Sequence, residues 1–131
     1  MIRVQREPID LGKELDADQS AAIARNVAQF DAWLEGRFAQ QDVGLEVPIL
    51  ALDDRGSVVW GYIDVLVETA DELWIVDHKS DHADDRGSRF AEHLPQLTAY
   101  ADAVRQARPD KPVRGVAVHW ITYGEVSLLE L

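Results

Sequence analysis

The hydrophobic pattern changes period twice along the chain. Residues 21–40 (AAIARNVAQFDAWLEGRFAQ) carry Ile23, Val27, Phe30, Leu34 and Phe38 at spacings of three and four, the stripe of an amphipathic helix. Asp18 or Ser20 ahead of it can cap the free amides of its first turn. Runs at 43–52, 57–68 and 72–79 are dense in valine, isoleucine and tryptophan. The turn signals Asp53-Asp54-Arg55-Gly56 and Thr69-Ala70-Asp71-Glu72 separate them, so they read as three consecutive strands. Helical spacing returns at Leu94, Leu97, Ala101 and Val104. Pro95 is expected in the first turn of this second helix, where its missing amide is harmless, which places Gln96 close to anion-favouring backbone amides. Beyond Pro109 and Pro112, runs at 113–122 and 125–130 meet at Tyr123-Gly124 and predict a closing pair of strands, while the opening IRVQREPIDL reads as irregular or as a short strand. The order is α-β-β-β-α-β-β. A helical crossover into the fourth strand predicts an α/β fold, a mixed central β-sheet flanked by helices, and the absence of linkers or repeats predicts a single domain over residues 1–131.

Charges interrupt this pattern where it is most apolar. Gly61-Tyr62-Ile63-Asp64 and Ile75-Val76-Asp77-His78-Lys79 place two carboxylates and a lysine inside strands that otherwise read as buried. If the loop between those strands is symmetric, residue i stands opposite residue 141 − i, and Asp64 faces Asp77. Directly opposed positions bring Cβ atoms to roughly 4.5–5.5 Å, where like charges destabilise the pair. Alternation puts Asp77 and Lys79 on one face and His78 on the other. A divalent cation between the carboxylates, with the ammonium alongside, resolves the repulsion. Solvated edge-strand charges paired with Lys79 are the plainer alternative, and from spacing alone the two readings stand about level.

A third segment adds to the first two. Gln96 and Tyr100, four apart on the second helix, flank its apolar face. The ordered set Gly-x-x-Asp, Asp-x-Lys and Gln-x-x-x-Tyr resembles the RecB-like branch of the PD-(D/E)XK nuclease superfamily, and the likeness runs from about Leu45 to the C-terminus. It implies a restriction-endonuclease-like core and a Mg²⁺-dependent deoxyribonuclease of the exonuclease type, with Mn²⁺ as a substitute ion. Asp64, Asp77 and the backbone carbonyl of His78 are then the metal ligands. Lys79 is the residue that positions or polarises the attacking water, and Gln96 and Tyr100 contact the DNA backbone or brace the catalytic face. The partners implied are DNA and the helicase module of a larger recombination and repair helicase–nuclease, in the bacterial cytoplasm with the nucleoid. One family feature has no counterpart. The branch carries a metal-binding histidine on an upstream helix, whereas the histidines here are His78, His82, His93 and His119. Truncation upstream is the simplest account, and it implies poor cutting by this chain alone. His78 and His119 are expected to be packing residues, and His82 and His93 surface residues.

Composition narrows these readings. No cysteine is present, which removes disulfides, thiolate metal sites and the iron–sulfur cluster of some relatives in the same branch. No apolar run is long enough to span a membrane. The formal net charge of −11 opposes unaided binding to DNA, because affinity for nucleic acid rests on neutralised phosphates. Arg86 and Arg89, in the loop after Lys79, are the local cations best placed for a phosphate, although solvated loop charges are the first reading of them. The charge also suits an alternative, a catalytically inactive nuclease-like fold that acts as a DNA-binding or assembly module, while retention of Asp64, Asp77 and Lys79 together counts against it.

Overall fold

A computed structural model describes residues 17–38, 41–80 and 85–131. Two helices, α1 (Ala17–Arg37) and α2 (Arg86–Ala107), and five strands, β1 (Asp42–Leu52), β2 (Val58–Glu68), β3 (Leu73–Lys79), β4 (Val113–Trp120) and β5 (Glu125–Glu130), follow in the order α-β-β-β-α-β-β. The strands form one sheet in chain order, antiparallel except for β3 and β4, which run parallel. A parallel neighbour needs a long connection, and α2 supplies it. The opening segment IRVQREPIDL and His82 lie outside the described residues.

Local chemistry sets the turns. Asp53 accepts from the amides of Arg55 and Ser57 at 2.9 and 2.8 Å, closing the β1–β2 turn. The hydroxyl of Thr69 accepts from the amide of Glu72 at 3.2 Å and fixes the β2–β3 loop. Beyond that loop Arg108 grips Glu68 through two bonds of 3.0 Å, tying the end of α2 to the end of β2.

The sheet separates two cores. On one side α2 packs Leu97, Tyr100, Ala101 and Val104 against Ile63, Ile75, Val116 and Val118. On the other, Phe30 and Leu34 of α1, with Phe38 just past its end, cover Val65, Val67, Trp74, Val76 and Ala117. The expected α1 stripe is therefore buried only in its C-terminal half, since Val27 is exposed and Ile23 half-exposed.

The second helix departs from expectation. It begins at Arg86, with Asp85 as its cap accepting from the amide of Ser88 at 3.1 Å, so Pro95 lies inside the helix rather than in its first turn. An interior proline removes a hydrogen bond and costs about 3 kcal/mol. Packing outweighs that cost, because Phe90 and Leu94 before the proline join the same core as Leu97 and Tyr100 after it. Gln96 is consequently a mid-helix residue, away from the free amides of the N-terminus.

Candidate active site

The β2–β3 ladder follows the expected register, with Val65, Leu66, Val67 and Glu68 opposite Val76, Ile75, Trp74 and Leu73, and residues 69–72 left as the loop. Pairing stops one step before Asp64 and Asp77. There the carboxylate of Asp64 takes over from the ladder, its Oδ2 accepting from the backbone amide of His78 at 2.8 Å. Asp64 is thus tied to the backbone of β3 at His78 by a side-chain bond, and not set against Asp77 by the direct strand opposition that the register alone implies.

The side-chain alternation of β2 also slips at this point. Ile63 packs on the α2 side, yet Val65, two residues on, packs on the α1 side, and residues 63–65 are all buried. The partner strand explains it. Glu46 drops out of the β1–β2 ladder between Leu45↔Val65 and Val47↔Ile63, with φ at 50°. Such a left-handed non-glycine residue costs about 1–2 kcal/mol, and irregularities of this kind re-aim side chains beside functional sites. Nothing in the residue type of Glu46 signals it, so sequence reasoning missed this device.

Asp64, Asp77 and Lys79 are all buried. Lys79 Nζ stands 2.9 Å from Asp77 Oδ2, an ion pair without hydrogen-bond alignment. Among the described residues, Oδ1 of Asp64 and both carboxylate oxygens of Asp77 lack a hydrogen-bond partner. Burial first, and then the neighbouring Asp64, pushes the Asp77 carboxyl well above its ordinary range, while Lys79 opposes the shift. Buried polar atoms of a native protein are nearly always satisfied, so orphaned carboxylate oxygens beside an ammonium are atoms in want of a cation. The donor set fits a hard divalent ion, which takes oxygen ligands and retains several waters. It is a sparse set, for no group of three or more His, Asp or Glu side chains suited to a metal gathers among the described residues.

On α2, Tyr100 is buried in the core that holds Ile63 and Ile75, and Gln96 is half-buried one turn before it. His78 and His119 pair across the parallel β3–β4 ladder with their Nδ1 atoms 2.8 Å apart. Phe30 stacks on the His119 ring at 4.3 Å and meets His78 edge-on at 4.9 Å. Burial, and then His78, lowers the His119 pKa to about 4, as befits a neutral packing ring. His93 is half-buried with its ring 6.1 Å from that of Trp120, so it is less of a surface residue than expected. Arg86 and Arg89 are already engaged. Arg86 binds Glu125 at 2.6 and 2.9 Å and lies over the Tyr123 ring at 4.1 Å, and Arg89 pairs with Glu92 at 2.7 Å. Arg86 is thus held by an acidic partner on β5 and Arg89 by one a turn away on its own helix, which weakens the case for either as a phosphate contact.

A five-stranded mixed sheet between helices, with an Asp-x-Lys strand beside a second buried aspartate, is the arrangement of a nuclease-type core. The sequence model of the PD-(D/E)XK nuclease superfamily matches residues 2–126, and the chain belongs to that superfamily. Among solved structures it resembles the crystal structure of SSO0001, with a TM-score of 0.51 and 17% identity over 88% of this chain. The match spans 52% of SSO0001, about half its length. An XisH family protein from Nostoc punctiforme PCC 73102 aligns with a TM-score of 0.44 and 12% identity, over 81% of this chain and 96% of that one. Among curated proteins none matches the sequence. No helix of the described residues is long and apolar enough to cross a membrane.

Proposed function

We propose that this chain is a Mg²⁺-dependent nuclease module of the RecB-like branch, hydrolysing DNA phosphodiesters at Asp64, Asp77 and Lys79. The observation that carries the reading is the pair of buried carboxylates with unsatisfied oxygens beside a buried lysine. Asp64, Asp77 and the backbone carbonyl of His78 would hold Mg²⁺, or Mn²⁺ in its place. When bound, such an ion supplies Lewis acidity toward a phosphate and a water of lowered pKa. The chain's own residues do the rest. The His78 amide fixes the Asp64 carboxylate, so one ligand is oriented before anything binds. Lys79, held at 2.9 Å by Asp77, presents an N–H donor that orients water and offsets charge on the phosphate as the ester bond breaks. Tyr100 and Gln96 brace this face from α2.

The net charge of −11 assigns most DNA affinity to another body, and a helicase module of a larger repair and recombination protein in the bacterial cytoplasm fits that need. The same charge, with the sparse ligand set, favours a second reading in which the fold is inactive and serves assembly. Calorimetric titration with Mn²⁺ against wild type and Asp77→Ala, and a nuclease assay of the parent protein carrying Lys79→Ala, separate the two. Binding abolished by Asp77→Ala and cutting abolished by Lys79→Ala support the nuclease. Full cutting by Lys79→Ala gives the assembly reading the field.

A further inference from the structure

The outer half of the β1–β2 hairpin breaks the rule for a solvent-facing antiparallel sheet, which alternates apolar inward and polar outward. Its inward residues are Val47, Ile49 and Ala51 opposite Ile63, Gly61 and Val59. Its outward pairs are Pro48↔Tyr62, Leu50↔Trp60 and Leu52↔Val58, apolar but for one phenol. Leu50 is 75% exposed, Tyr62 50% and Trp60 45%. Among the described residues α1 covers this side of the sheet only from Val65 inward, and none of them covers the ladder beyond the Glu46/Asp64 slip.

We propose that this face is a dimer interface, occupied by the same face of a second copy of the chain. The six residues together present on the order of 600 Å² of largely apolar exposed surface, at the upper end of what monomers leave open and approaching the ~800 Å² per partner of a standard interface. The geometry is self-complementary. A twofold axis through the central Leu50↔Trp60 pair lays the aliphatic end, Leu52 and Val58, over the aromatic end, Tyr62 and Pro48, of the partner, as in sheets packed about 10 Å apart. Nucleic acid is the wrong occupant for this surface despite its two aromatic rings, because the hairpin's cation, Arg55, is outnumbered by Asp53 and Asp54 of the same turn and the far end carries Glu46.

The test is sedimentation analysis of the 131-residue chain across concentration and salt, comparing wild type with Leu50→Lys and with Trp60→Thr. Both substitutions are on the exposed face and outside the acidic site, and circular dichroism checks that the fold is unchanged. A wild-type dimer that tightens with added salt, as apolar association between acidic chains requires, and that either substitution dissociates, supports the proposal. A wild-type chain monomeric up to its solubility limit overturns it and leaves the face to another module. Dimerisation that survives both substitutions, or that salt dissociates, overturns it by placing the contact elsewhere.

Discussion

Asp64 and His78 are joined by a 2.8 Å hydrogen bond from the His78 amide to the Asp64 carboxylate, which fastens the first acidic strand to the second where their ladder ends. The bond holds Asp64 beside Asp77, a like charge in a buried place, so the protein keeps a locally unfavourable pair that an isosteric neutral residue would relieve. Asp64→Asn retains an oxygen to accept from His78 and removes the repulsion. It is expected to stabilise the metal-free protein by about 0.5–2 kcal/mol in urea unfolding, whereas Asp64→Ala, which also loses the anchoring bond, is expected not to.

The stabilisation should come at the expense of metal binding. Mn²⁺ is expected to raise the melting temperature of the wild type progressively, by the equivalent of about 2.7 kcal/mol at one hundred times the dissociation constant. Asp64→Asn and Asp77→Ala should lose that response. A wild-type melting curve unmoved by Mn²⁺ would remove the site from consideration as a metal centre.

Much of this was legible in the sequence. The hairpin register of 141 − i follows from two strands and a symmetric polar loop, both of them local features, and the strand boundaries agree to within one or two residues. The burial of Asp64, Asp77 and Lys79 was implied by their apolar flanks. What was not legible depends on distant parts of the fold. The positive φ of Glu46 falls where its place in the ladder between β1 and β2 goes unpaired, and the His78–His119 contact exists because α2 returns the chain to lay β4 parallel to β3. Pro95 misled for the same reason. Local preference placed it at a helix start, and the shared core of Phe90, Leu94 and Leu97 carried the helix through it.

Acid should weaken the structure through Glu68. Its bonds to Arg108 and then Lys111 hold its pKa down to about 2 from an ordinary 4.5. The folded-state value is depressed, so the contribution is fully present above pH 4.5 and is lost as the pH falls from there toward about 2. Glu68→Gln is therefore expected to flatten the dependence of unfolding free energy on pH across that window. At neutral pH it should cost about 1 kcal/mol, the upper range for a partly exposed pair.

The strand pairing that brings Lys79 alongside Trp120 rests on a close approach further down the same ladder. Gly115 lies opposite Trp74, and a Cβ there would overlap the indole ring and come within 2.7 Å of the carbonyl oxygen of Leu129. The ring has little freedom to move aside, being buried, bonded through Nε1 to Glu72 at 3.0 Å and packed against Phe38 at 5.5 Å. Gly115→Ala is expected to destabilise the protein by about 1–3 kcal/mol, the usual cost of overpacking. If the clash with the indole is the cause, the same substitution in a Trp74→Phe background should cost less, and a double-mutant cycle of chemical unfolding would show that coupling. Additive losses would mean that the Leu129 carbonyl, and not the indole, is what excludes a side chain at this position.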